Sequence, residues 1–217
     1  MDQFTFAERA TDWRANNNIA ESIFQQMRFE QHPEPSWLIS SPGTGGTTAT
    51  LGRYVRYRQH CTRVLCADAE RSVFFDYYLS GDAGLRLDCG SRIEGIGRPR
   101  VEASFLPNVI DAMVKVPDAL SLAAMHYLAG RLGRRVGGSS GTNLVGALMA
   151  AQQMKAAGES GSIVAILCDG GERYATTYYD ETWLAAQGYA LEGLIAMVAA
   201  SVEQGEPLPD SIRRANI

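Results

Sequence analysis

Within eight residues, Ser41-Pro42-Gly43-Thr44-Gly45-Gly46-Thr47-Thr48 gathers three glycines and four hydroxyl side chains. Glycines let several backbone N–H groups converge on one point, and the threonine hydroxyls add donors. A helix starting at the end of such a loop contributes unpaired N–H groups and a partial positive charge. That chemistry suits an anion, and a phosphate is the expected occupant. A Walker A loop ends in Gly-Lys-Ser/Thr, and no lysine lies near; a dinucleotide fingerprint needs glycine where Thr48 stands. An ordinary glycine-rich turn remains the alternative.

A second cluster, Gly137-Gly138-Ser139-Ser140-Gly141-Thr142-Asn143, contains a GxSxG pattern with Ser139 at the nucleophile position. A nucleophile elbow of that kind requires a histidine later in the chain, and His32, His60 and His126 all precede Ser139. Hydrolysis is therefore set aside. Ser140 or Thr142 is expected to cap the following helix. A third junction, Cys168-Asp169-Gly170-Gly171-Glu172-Arg173-Tyr174, closes the last apolar run. Three glycine-bearing loops after three strands predict one shared crevice, because ligands of open α/β sheets bind beyond the carboxyl ends of strands.

The elements that must position these loops alternate. Short apolar runs at Trp37–Ser40, Thr62–Ala67, Ala112–Val116, Arg135–Gly137 and Ile163–Cys168 predict strands. Helical patterns cover Ile19–Arg28, Thr48–His60, Asp118–Arg131, Thr142–Ala157 and Leu191–Gln204, with Asp118 as an N-cap. Near-continuous apolar strands between helices indicate an α/β fold: a mostly parallel sheet covered on both faces, in three αβα layers. Residues Asp2 to Arg14 read as irregular, and Ser80 to Arg100 as a long Gly- and Arg-bearing loop of the kind that is usually functional or mobile.

Composition narrows the partners. A net charge of −4 without a basic stripe argues against nucleic acid. No apolar run reaches membrane-spanning length, and the first residues are polar, unlike a signal peptide, so a cytoplasmic protein is expected. Cys61, Cys66, Cys89 and Cys168 lack metal-ligand spacing, as do the histidines; Cys66 and Cys168, inside apolar runs, are expected to be buried free thiols. Against 18 arginines there are only two lysines, Lys115 and Lys155.

Taken together, PGTGGT, IEGIG (Ile93–Gly97), GGSSGTN and ILCDGGERY resemble the cysteine synthase and cystathionine β-synthase family, pyridoxal-phosphate (PLP) enzymes of fold type II. The likeness runs from about Asp2 to Tyr179, and DQF…ATDWRANNNIAESI with IEGIGRPRVEASF looks closest to the cysteine desulfhydrase branch. The resemblance implies that Gly43, Thr44, Gly45, Gly46 and Thr47 hold the cofactor phosphate. It implies that Ser139 meets the pyridine nitrogen and that Gly95 faces the ring. Asp169 falls at the strand end near that ring. A neutral serine at a helix start disfavours a protonated ring, which suits loss of a β-substituent over transamination. The substrate implied is a small amino acid such as cysteine or O-acetylserine, undergoing β-elimination to sulfide, pyruvate and ammonia or β-replacement.

The resemblance also implies parts that are not found. Family members carry their cofactor-binding lysine well before the phosphate loop, together with an asparagine for the ring hydroxyl and a Ser/Thr-Gly-Asn loop for the substrate carboxylate. Neither lysine here matches that position. The expectation is a single α/β domain corresponding to the C-terminal, large-domain part of a longer enzyme and inactive alone: a truncated gene model, one half of a split enzyme complemented by an N-terminal half, or a remnant that has lost catalysis. Family members are commonly homodimers, and the apolar stretch Leu191–Val202 is either such a contact or plain core. A non-catalytic phosphate- or partner-binding module of the same fold is the alternative, and a nucleotide-phosphate binder is a third.

Overall fold

The computed structural model describes residues 2–9, 14, 18–209 and 211–217. Its sheet has five strands: β1 (Trp37–Ser40), β2 (Arg63–Ala69), β3 (Ala112–Val116), β4 (Ile163–Ala165) and β5 (Arg213–Ala215), in the order β4-β1-β2-β3-β5. The first four are parallel, and β5 runs antiparallel along β3, pairing Met113 with Ala215.

Strand alternation sends side chains to both faces, and both are covered. On one face Ile39, Leu65, Ala67 and Val114 pack under three helices: α5 (Asp118–Leu132), α6 (Gly138–Ala157) and α8 (Glu192–Gln204). On the other, Leu38 and Val64 meet α2 (Ile19–Met27) and α3 (Gly46–Arg58). Cys66 and Met113, also on that face, meet α4 (Phe74–Ser80) and Phe105. The expected three-layer αβα architecture is present. Val198 of α8 lies fully buried in the main core and Val202 is exposed, so the tail helix is at least partly core.

Several local expectations are corrected. Arg135–Gly137 is not a strand: only Val136 bridges, antiparallel, to Gly170. The run expected to extend to Cys168 leaves the ladder after Ala165, and Cys168 is exposed rather than buried, whereas Cys66 is buried as expected. Asp118 is the first helical residue of α5, with Pro117 at the cap position. Ser140 and Thr142 do not cap α6; Ser140 Oγ accepts the Cys168 N–H at 3.0 Å, and Thr142 Oγ1 donates to Ser121 Oγ at 2.9 Å. Within the stretch expected to be irregular, a one-turn helix α1 (Gln3–Phe6) and a 3₁₀ turn (Ala7–Arg9) form; residues 10–13 and 15–17 of the ATDWRANNN motif lie outside the described residues. Helices α4 and α7 (Glu181–Ala186) and strand β5 were not expected from sequence.

Candidate functional site

The strand order places a topological switch between β1 and β4. From β1 the chain winds outward through β2 and β3, then returns to the opposite side of β1, leaving a crevice beyond the carboxyl ends of β1 and β4. A cavity of about 380 Å³ opens there, a size suited to a small-molecule ligand. Residues 41–48 line it after β1, Cys168 and Asp169 line it after β4, and Glu94–Ile96, Arg98 and Ser139 complete it.

Backbone geometry shapes the loop after β1. Gly45 takes φ +93°, a left-handed conformation that glycine tolerates, and turns the chain into α3. At Gly43 a Cβ would collide with the carbonyl oxygen of Gly95, so the phosphate-type loop and the IEGIG segment touch backbone to backbone. Gly97 N–H donates to Pro42 O at 2.8 Å, and Ser104 Oγ donates to Thr44 O at 2.6 Å. Ser41 Oγ donates to Asn143 Oδ1 at 2.6 Å, while Asn143 Nδ2 donates to Ile166 O at 2.8 Å. One asparagine thus ties the loop after β1 to the chain after β4, fixing both walls.

The other end is an aromatic and carboxylate cluster. Asp169 accepts the Tyr174 hydroxyl at 2.7 Å, and its carbonyl accepts Gly137 N–H at 3.0 Å at the start of α6. Arg173 bridges to Glu94. Tyr178 OH accepts Glu94 N–H at 2.9 Å and donates to Arg92 O at 2.7 Å. Burial raises the phenols of Tyr174 and Tyr178 above the ordinary range, and the Asp169 carboxylate raises Tyr174 further, so both act as neutral hydrogen-bonding groups. Although Cys168 is exposed as a residue, desolvation where its thiol sits raises the thiol, opposed by its hydrogen bond to Ser139. Ser139 itself is 4 % exposed, in the first turn of α6.

The seven residues singled out from sequence (Gly43, Thr44, Gly45, Gly46, Thr47, Gly95 and Ser139) all line this one cavity. Arg98, Glu94 and Asn143 were missed. A charged residue immediately after IEGIG was the available signal for Arg98; Asn143 had none, because its partners are remote in sequence. The arrangement fits PLP. Backbone N–H groups at the start of α3 offer an anion end, Ser139 offers a neutral hydroxyl on the same cavity, and at Gly95 nothing lies within 4 Å of where a Cβ would stand. Neither lysine lines the cavity: Lys115 on β3 bonds Asp76 Oδ2 at 2.7 Å, and Lys155 late in α6 approaches Gly205 O at 3.5 Å. Among the described residues no metal-binding cluster is present, and no helix is long and apolar enough to cross a membrane.

Comparison with known proteins places this geometry in context. The chain is 58 % identical over 188 residues to L-cysteine desulfhydrase Cds1 of Mycobacterium tuberculosis, covering 87 % of this chain and 51 % of that protein. It is 29 % identical over 189 residues to cysteine synthase 2 of Schizosaccharomyces pombe, covering 82 % and 46 %. With the cystathionine beta-synthase of Apis mellifera it shares 30 % identity over 154 residues, 70 % of this chain and 29 % of that one. The chain therefore spans about half, or less, of the length of these relatives. A solved hydrogen sulfide-producing enzyme in complex with an alpha-aminoacrylate intermediate superimposes with a TM-score of 0.64 at 22 % identity, over 81 % of this chain and 48 % of the other. At that identity the match shows the fold. The family model described as "Pyridoxal-phosphate dependent enzyme" matches residues 2–169, and the chain belongs to that family.

Proposed function

We propose that this chain forms the phosphate- and ring-binding half of a cytoplasmic, PLP-dependent, cysteine-metabolising enzyme, acting by β-elimination to sulfide, pyruvate and ammonia or by β-replacement. The observation that carries the reading is the convergence of Gly43–Thr47, Gly95 and Ser139 on one cavity at the β1/β4 switch point. The relatives that bear cysteine-desulfhydrase and cysteine-synthase names support the substrate class. When bound, PLP supplies an electron sink for bond cleavage at an amino acid's α- and β-carbons. On this reading Gly43–Thr47 hold the phosphate with backbone N–H and hydroxyl donors, Gly95 leaves room over the ring, and Ser139 keeps the pyridine nitrogen unprotonated. The neutral Tyr174 and Tyr178 hold the Asp169 and Glu94 side of the cavity in place.

The base that moves the α-proton is a lysine from outside this chain's described site, because Lys115 and Lys155 both lie away from the cavity. A second segment supplies it along with the loop for the substrate carboxylate. Titrating the chain with PLP, then mixing it with the segment of the mycobacterial relative outside the match and with L-cysteine, tests this. Saturable PLP binding by the chain, and sulfide released only by the mixture, are expected. Absence of saturable binding would sink the reading. Binding without sulfide from the mixture would favour a non-catalytic phosphate-binding module, the reading to which the remote lysines point.

A further inference from the structure

The cavity is lined by three formally charged side chains, and two of them have protein partners. Glu94 is paired with Arg173, and Asp169 accepts the Tyr174 hydroxyl. The third, Arg98, is the one basic side chain lining the cavity among the described residues. Its Nε is buried and has no hydrogen-bond partner. No described carboxylate pairs with its guanidinium, which sits over the Phe4 ring at 5.1 Å from the centroid. A buried N–H left without an acceptor is costly, and a ligand anion in the cavity would supply one to this half-buried side chain.

Its placement selects which end of the cavity it serves. Arg98 N–H donates to Ser72 Oγ at 3.2 Å, its carbonyl accepts Val73 N–H at 2.9 Å, and the preceding residue, Gly97, is bonded to Pro42 in the glycine loop. Phe4, under the guanidinium, lies beside that same loop: the single Ser104 hydroxyl proton is within reach of both Phe4 O at 2.9 Å and Thr44 O at 2.6 Å. The Arg98 backbone is therefore held at the start of α4, one residue from the Gly97–Pro42 bond, and its guanidinium lies over Phe4 while lining the same cavity as Pro42–Thr44. The loop itself offers only neutral donors, whereas a phosphate monoester carries close to two negative charges at neutral pH.

We propose that Arg98 is the charge partner of the ligand's phosphate, adding a guanidinium contact to the neutral Gly43–Thr47 cradle and making the site select phosphorylated over unphosphorylated ligands. The inference rests on the PLP reading of the cavity. A guanidinium–phosphate contact is a charge-assisted, directional bond, which a lysine reproduces only in part.

Calorimetric titration of the full chain with PLP and with pyridoxal, its unphosphorylated analogue, tests the proposal without requiring turnover. Arg98→Gln is expected to weaken PLP binding about tenfold or more while leaving pyridoxal binding unchanged. Arg98→Lys should fall between, and the salt sensitivity of PLP binding should shrink in the glutamine variant. A wild-type preference for PLP over pyridoxal that is undiminished in Arg98→Gln, or a loss that falls equally on both ligands, would overturn it. Should Arg98→Gln fail to fold, a wild-type preference that is retained in full by Arg98→Lys and insensitive to salt would also overturn it. Wild-type chain that binds neither ligand defeats the PLP reading and this inference together; PLP binding with an unmoved preference defeats this inference alone.

Discussion

A methyl group at Gly43 has nowhere to go except into the Gly95 carbonyl, so this position reports whether the cavity walls must touch. Gly43→Ala should force the glycine loop and IEGIG apart at a cost of about 1–3 kcal/mol. It should weaken PLP binding at least tenfold in a calorimetric titration, an estimate of about 1.4 kcal/mol or more; unchanged affinity would mean that the cradle is not the ligand's seat. Asp118 gives a second residue-scale test. It is 2 % exposed, its Oδ1 has no partner, and burial with the nearby Glu70 carboxylate pushes its pKa up to about 6 from the ordinary 3.8. The folded protein holds this proton more tightly than the unfolded chain, so the group's stabilising contribution is full below pH 4 and is lost as pH rises through 6. Asp118→Asn should therefore raise unfolding free energy at pH 8 by roughly 1–3 kcal/mol and leave it unchanged below pH 4. Urea titrations at the two pH values read this directly. An equal shift at both would assign the effect to packing and not to charge.

Helix α4 shows how an element can be set by contacts that its own sequence barely announces. Val73 stands at its cap position without a side-chain bond; the first N–H groups go instead to Ser72 Oγ, from Phe74 at 3.3 Å, and to Asp68 Oδ2 of β2, from Phe75 at 2.8 Å. Ser72 Oγ also accepts the Arg98 N–H, so one hydroxyl couples the start of α4 to the cavity loop. Ser72→Ala should cost roughly 1–2 kcal/mol and speed amide exchange at Phe74 and Arg98, with α6 unaffected; protected exchange at Arg98 would break the proposed coupling. The elements visible in the sequence were those whose stabilisation is local and periodic. β1 and β3 are apolar runs between turn signals, and α2, α3, α5, α6 and α8 carry apolar stripes or glycine punctuation. Strand β5 has the sequence Arg-Arg-Ala and no alternation; it exists because β3 offers an edge and Asp76 binds Arg213 at 2.9 Å. Arg135–Gly137 has a strand's flanks but meets only a loop, so it makes one bridge. The same division holds in the site. Gly43–Thr47 and Ser139 stood out because their chemistry is written in adjacent residues, whereas Arg98 and Asn143 take their roles from loops brought together only by the fold.

Across the whole molecule, the two lysines are committed to structural positions on either side of the sheet. Lys115 is 13 % exposed and held by Asp76, which also binds Arg213 of β5, so its ammonium ties β3, α4 and the edge strand together. Lys155 lies at the C-terminal end of α6, where positive charge is favoured by the helix carbonyls, and points at Gly205 O beyond α8. Releasing Lys115 to reach the β1/β4 crevice would abandon that ion-pair cluster and leave Asp76 with one cation. An amine must lie within bonding distance of the cofactor aldehyde to form a covalent link, and neither side chain lines the cavity proposed to take the ligand. Borohydride treatment of the chain with PLP should therefore leave Lys115 and Lys155 without a stoichiometric adduct in peptide mass maps. Repeated with the complementary segment of the mycobacterial relative, the same treatment should place one adduct on a lysine of that segment. A stoichiometric adduct at Lys115 in the isolated chain would mean that the ligand enters from the β3 edge and that the glycine cradle serves another anion.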